Sequence, residues 1–302
     1  METPGTLETP SGKGARDENF PVGSWLIRPD LRRHVMALYG FARAGDDIAD
    51  NPDLDPEDKV ARLDGLAAII RGEVPREAAA NQSPNALVFR DSLVETGVTV
   101  QHGLDLLAAF TQDARKARYR DWDDLLGYCF LSAAPVGRHL LDLHGEGEAC
   151  RRGADALCNA LQIVNHLQDF GEDYRRLDRI YLPEDYMREA GVRVEELGGH
   201  HITPGIRRVM DRVIAPLEGL LHTCGDLVIQ IHDPRIALEC QVIRTLALRL
   251  TERLKREDPI ATRVTLAKPV AAGYGLAAVT AGLVRRLVTR RPTAAGLVAQ
   301  LR

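Results

Sequence analysis

Apolar residues return every three or four positions along most of this 302-residue chain, the spacing that lines one face of an α-helix. The pattern runs through 31–50, 56–72, 84–95, 101–117, 122–144, 149–175, 205–231 and 233–256. Leu, Ala, Arg and Glu dominate these stretches, and all four are strong or tolerant helix formers. Strand-length alternation of β-branched residues is nearly absent. Pro, Gly and polar residues gather at 52–55, 74–84, 145–147, 191–204 and 256–259. These breaks are too short to be interdomain linkers, and no repeat of fixed period appears. The expectation is one all-α domain.

Two of the predicted helices carry acids where a core face should continue. In the first, Tyr39, Arg43, Asp46 and Asp50 fall within about 60° of one another at about 100° per residue. Val35 and Ala42 lie beside that stripe. The second, within 161–186, repeats the geometry: Asn165, Asp169 and Glu172 share a face, with Asp173 one turn beyond Asp169. Carboxylates one turn apart repel, and an unpaired charge facing a core is very costly. The stripes make sense if they open onto a polar cavity where divalent cations supply the compensation. Mg²⁺ favours a few carboxylates plus waters and phosphate oxygens, so two opposed DxxxD faces would clamp Mg²⁺–diphosphate. Either pair alone would fit a solvated helix face; their recurrence beside Tyr39, Arg43 and Asn165 favours the clamp.

Composition narrows the setting. Apolar residues make up 45 % and charged residues 27 %, an ordinary globular balance. A formal net charge of −4 gives nucleic acid no reason to bind. The arginine pairs at 285–286 and 290–291 read as a solvated helix face. Five cysteines without a CxxC pair fit a reducing cytoplasm better than a disulfide framework or zinc site. Residues 1–16 read as a disordered tail without a signal-peptide core. No apolar run approaches membrane-spanning length, so a lipid substrate would be met from the water side.

In order and spacing these motifs resemble the squalene/phytoene synthase family over about residues 17–270, with 271–302 as a C-terminal helical extension. The resemblance is carried by Tyr39-x-x-x-Arg43-x-x-Asp46-x-x-x-Asp50, by Tyr128 to Gly137, and by Asn165-x-x-x-Asp169-x-x-x-Asp173 followed by Arg179-Ile-Tyr-Leu-Pro. It implies a single-domain isoprenoid-synthase helical bundle with a central cavity. Within the family the chain resembles the bacterial hydroxysqualene synthase branch of hopanoid pathways. Residues 18–25 read ENFPVGSW where squalene- and phytoene-forming relatives carry a Ser-rich segment, and Gln168 stands where condensing relatives place an arginine. Gly171-Glu172-Asp173 is closer to the condensing relatives. The implied reaction converts presqualene diphosphate and water to hydroxysqualene and diphosphate. The alternatives are a head-to-head prenyltransferase making presqualene diphosphate, squalene or phytoene, and a non-catalytic scaffold of the same superfamily.

The resemblance also implies roles. Asp46, Asp50, Asp169 and Asp173 would ligate Mg²⁺ and, with Tyr39 and Tyr128, form the catalytic set. Ser24, Arg43, Asn165, Arg263 and Lys268 would hold the diphosphate. Each has a plainer reading. Arg43 could pair with Asp46 or Asp47, and Asn165 could make an interhelical hydrogen bond. Ser24 and Asn19 could cap helices, and Arg263 and Lys268 could be surface charge. Tyr39 and Tyr128 could be core packing rather than faces that stabilise a carbocation. Asp47, about 100° from Asp46, reads as a helper or a solvated acid. Pro135 should bend a helix over 125–143 and leave room for a long chain. His200 and His201 read as solvated, and the glycines at 273 and 275 follow no strand and make no dinucleotide site. The expected partners are the polyprenyl diphosphate and other enzymes of the squalene pathway. The expected location is the cytoplasm, with contact at the inner membrane face as an alternative to docking of 276–287 on the protein's own bundle.

Overall fold

Many of the helices start where the sequence supplies a cap or a proline, and several stop where the backbone turns left-handed. The computed structural model describes residues 5–12 and 26–289. In chain order the helices are α1 (Arg32–Ala49), α2 (Pro56–Arg71), α3 (Arg76–Gln82), α4 (Pro84–Thr96), α5 (Gln101–Arg115), α6 (Trp122–Ser132) and α7 (Ala134–Leu143). They continue with α8 (Arg151–Leu177), α9 (Glu184–Ala190), α10 (Pro204–Thr223), α11 (Leu227–Gln230), α12 (Pro234–Leu254) and α13 (Lys268–Val288). Asp55, Ser83, Asp121, Thr203 and Asp233 each accept a backbone N–H at a helix start, relieving one of the donors a helix leaves unpaired. Gly72, Gly97 and Gly191 end helices with positive φ, which costs glycine little. Among the described residues there is no strand, only a single bridge between Arg118 and Ile180.

The helical expectation holds, with local corrections. The stretch 122–144 is not one bent helix but two, because the ring of Pro135 removes a donor and Ala133 leaves helical geometry at φ −122°. The break at 74–84 contains α3, and the region after 176 contains α9; both are too short for a periodic signal. The stretch 205–231 ends as a helix at Thr223 and resumes only as the short α11. Residues 5–12, read as part of a disordered tail, lie on the bundle: Glu8 accepts from Ser83 Oγ (2.5 Å), Asn85 N (3.0 Å) and Asn85 Nδ2 (2.8 Å). Ser24, Asn19 and the rest of 13–25 lie outside the described residues, as do 290–302.

Two apolar clusters form the core. One gathers Leu38, Phe41 and Ile48 of α1 with residues of α2, α4 and α5. The other surrounds the long α8 with Ile163, Leu167 and Phe170 and draws in α6, α10 and α12. α13 docks along α12, with Gly282 against Leu238 and Val228, while Leu276, Leu283, Val284, Leu287 and Val288 face outward. No helix among the described residues is long and apolar enough to cross a membrane.

Gly45 fixes how closely α1 approaches α5. A Cβ there would stand 2.6 Å from the Phe110 ring, so any larger residue must displace that ring or the helix that carries it. Gly45→Val is expected to cost about 1–3 kcal/mol and to lower the thermal midpoint; an unchanged midpoint would contradict this packing.

Candidate active site

The sequence places Asp46 and Asp50 at the C-terminal end of α1, and Asp169 and Asp173 in the last three turns of α8. The tertiary structure joins these ends. Arg179, just past α8, donates to Asp50 Oδ1 at 2.5 Å and to the Ala49 carbonyl at 2.8 Å. Its guanidinium is buried, so this is a strong, charge-assisted link between the two motif elements. Asp50 thereby becomes the common neighbour of both acid pairs, raising the carboxyls of Asp46 and Asp173 alike.

Electrostatics shows how crowded the acids are. Burial, then the charge of Asp50, pushes the Asp46 carboxyl up to about 7, although Arg43 opposes it. The Asp46 side chain keeps 39 % of its surface accessible, so a water or an ion can reach it. Burial, then Asp169 and Asp50, pushes Asp173 up to about 8. Both shifts mark a place short of positive charge. Among the described residues no three His, Cys, Asp or Glu side chains already converge as a metal cage. Mg²⁺ does not require one, since it takes one or two carboxylates and fills its remaining positions with water and phosphate oxygen. The carboxylate pairs fit such an ion.

The other expected residues fare differently. Arg43 pairs with Asp47 (3.0 Å) and Asp46 (3.4 Å). Asp47 is not a solvated acid. It is buried and accepts from Ser11 N at 3.0 Å and Ser11 Oγ at 2.7 Å, so it anchors the N-terminal segment to α1. Tyr39, Arg43 and Asp47 line a 240 Å³ cavity beneath residues 8–12. Asn165 is half-buried one turn before Asp169. Arg263 forms a bidentate pair with Asp169, at 2.7 and 2.6 Å, and Gln168 donates to the Val264 carbonyl. Adjacent residues of α8 therefore clasp adjacent residues of the 258–267 segment. Lys268 lies exposed at the start of α13, with no ion pair among the described residues. His201 is exposed and bonds Asp258 at 3.2 Å.

Tyr128 reveals what the sequence reading missed. Its hydroxyl donates to Asp113 Oδ2 at 2.7 Å, and the Tyr181 hydroxyl donates to Asp113 Oδ1 at 2.9 Å. Asp113 is buried, and burial pushes its carboxyl up to about 6 against the pull of Arg179 and the two phenols. His166 stacks on Tyr181 with centroids 3.8 Å apart, and burial drops its pKa to about 3, so it is neutral. A signal for Asp113 did exist: it continues the buried stripe Leu106, Ala109, Phe110 of α5, where an acid has no packing reason to be.

The match to known proteins follows the same lines. The family model for squalene/phytoene synthase matches residues 14–270, and the chain belongs to that family. It is 43 % identical to the hydroxysqualene synthase of Rhodopseudomonas palustris, over 94 % of this chain and 96 % of the relative. It is 44 % identical to that of Zymomonas mobilis, over 84 % of each. The crystal structure of squalene synthase HpnC from Alicyclobacillus acidocaldarius superposes with a TM-score of 0.67 at 28 % identity, covering 78 % of this chain and 87 % of that one. These relatives are enzymes, and with all four motif acids in place the chain is one as well; the scaffold alternative falls away.

A carboxyl whose folded pKa exceeds its unfolded value holds its proton more tightly when folded, so stability falls as pH rises between the two. For Asp46 and Asp173 that window opens near the ordinary carboxyl value of 3.8 and closes near 7 and 8. In EDTA, Asp173→Asn is therefore expected to match the unaltered protein at the acid end and to melt higher at pH 8. Melting curves that stay superposed across the window would contradict the crowding.

Proposed function

We propose that this enzyme converts presqualene diphosphate and water to hydroxysqualene and diphosphate, as a step of squalene and hopanoid biosynthesis. The observation that carries this reading is the near full-length identity of 43 % to a hydroxysqualene synthase, together with the acid pairs joined at Asp50. Mg²⁺ bound by Asp46, Asp50, Asp169 and Asp173 would neutralise the diphosphate and make it a leaving group. The chain's own residues do the rest. Arg263, paired bidentately with Asp169 and half-exposed, stands where its planar fork could also meet a phosphate oxygen. Arg43 presents its planar fork from α1, and Asn165 offers an amide to the diphosphate one turn before Asp169. Ser24 and Lys268 would complete the diphosphate site. Tyr39 and Tyr128 would face the chain of the substrate, their rings favouring positive charge.

The cyclopropylcarbinyl cation left behind rearranges, a water forms the new C–O bond, and the proton it sheds leaves with diphosphate. No reductant enters this balance. Gln168 supports the single-diphosphate reading, since its amide is committed to Val264 rather than to an anion. Turnover of presqualene diphosphate with Mg²⁺ and no NADPH is expected, read by mass spectrometry of the C30 product. Asp46→Ala or Asp169→Ala should cost about 3 kcal/mol or more of transition-state stabilisation, on the order of a hundredfold or more in rate. Product appearing only with NADPH, or only from farnesyl or geranylgeranyl diphosphate, would move the assignment to a condensing enzyme.

The same reading locates the enzyme in the cytoplasm at the inner membrane face, beside other enzymes of the pathway. The outward face of α13 supports a bilayer as its partner. From Pro269 to Val284 it carries no charge, it begins five residues after Arg263, and the expected substrate is a lipid. Leu283→Asp with Leu287→Asp is expected to abolish co-sedimentation with anionic vesicles; undiminished binding would exclude α13 as the contact.

A further inference from the structure

The rings of Tyr119, Tyr128, Tyr181 and His166 pack into one cluster beside Asp113. The three tyrosine centroids lie 5.3, 5.4 and 5.5 Å apart, and His166 stacks against Tyr181. A phenol has one proton. Tyr128 and Tyr181 each give theirs to Asp113, so what their oxygens can still offer is lone pairs. Because one carboxylate holds both hydroxyls, the two acceptor oxygens are brought side by side. Tyr119 has the opposite problem: it is fully buried, and its hydroxyl lies near the Gln112 side chain without a well-formed hydrogen bond. His166 Nε2, also buried, is likewise unpartnered. Leaving such groups dry costs about 1–3 kcal/mol each, and buried polar groups that the protein does not satisfy are normally met by ordered water.

We infer that this cluster is a built water site and that, given the reaction proposed above, its water is the nucleophile that ends it. A water there gives its two protons to the oxygens of Tyr128 and Tyr181 and takes the proton of Tyr119 on one lone pair. One lone pair is left over, and it forms the C–O bond; the proton the bound water then sheds moves through a phenol to Asp113 and on through solvent to the released diphosphate. Placement of a single water answers a timing problem, since loose water would quench the cation before rearrangement is complete. Asp113 is then a positioning residue: it turns both phenols into acceptors and never meets the substrate. Supply is also accounted for. Tyr128 lines a polar surface cleft of 530 Å³ with Gln112 and Arg120, and Asp113 lines another of 490 Å³ with Lys116 and Arg179. Water can approach from the Tyr128 side without passing the acids that hold the diphosphate, whereas the second cleft is shared with Asp50.

Phenylalanine at 119 or 181 keeps the ring and removes the hydroxyl. The quantity to measure is hydroxysqualene formed per diphosphate released from presqualene diphosphate. That ratio should fall by about threefold or more in Tyr119→Phe and Tyr181→Phe, the missing carbon appearing as dehydrated or differently hydroxylated C30 products. An unchanged ratio in both variants overturns the water site, whereas no diphosphate release by the unaltered enzyme overturns the reaction instead. Thermal melting gives a second reading of Tyr119. Removing a dry orphan hydroxyl should stabilise the protein, so a raised midpoint in Tyr119→Phe overturns the site and a lowered one supports it. In a high-resolution crystal structure of the unaltered protein, a water bonded to both Tyr128 Oη and Tyr181 Oη is expected; its absence there overturns the inference.

Discussion

Asp46, Asp50, Asp169 and Asp173 stand partly covered on the ends of two helices drawn together, and like charges in that position push the fold apart. Arg179 is what lets them stay. Its guanidinium bonds both Asp50 and the last carbonyl of α1, so one buried cation answers a carboxylate and the negative end of a helix dipole together. It also lowers Asp113 and Asp173 from nearby. The protein's own cations cover only part of the charge, as the raised carboxyls of Asp46 and Asp173 record. A bound divalent ion would supply the balance, which ties the stability of this end of the bundle to the chemistry proposed for it.

The covering segments are attached to the same acid-bearing helices. Residues 8–11 reach α1 through Asp47 and reach α4 through Ser83 and Asn85. The 258–267 segment is held to α8 by Arg263 on Asp169 and by Gln168 on Val264. The second clasp differs in kind from the first. Asp47 is buried, whereas the Arg263–Asp169 pair, bidentate and equally short, is half-exposed on the arginine side and open to an incoming anion. One cover is buried at its anchor and the other is open to solvent.

The polar interior beyond the acids follows a different rule. Tyr119, Tyr128, Tyr181 and His166 present large apolar faces to the core around α8, so they pack as hydrophobic residues would. Their polar atoms are then either concentrated on Asp113 or left to water. Such networks are costly when half satisfied, and the placement of this one next to Arg179 and Asp50 gives it a purpose that packing alone does not.

How much of this was written in the sequence depends on the range of the interaction. Periodicity of 3.6 residues is a local property, so the long helices, the all-α class and the DxxxD stripes on α1 and α8 were legible; their spacing already implied carboxylates with nothing to pack against. Order and spacing of the motifs also identified the family. Short helices such as α3 and α9 carry too few turns to show a period, and Pro135 could be read as a bend or a break with equal ease. The tertiary structure alone decided which residues meet across the chain. It joined Arg179 to Asp50, seated Ser11 on Asp47, and brought Tyr128 and Tyr181 to Asp113. It also directed Gln168 to Val264 and left Lys268 outside. These contacts span from 15 to 129 residues, and no local pattern encodes a hydrogen bond whose two partners are brought together only when helices pack.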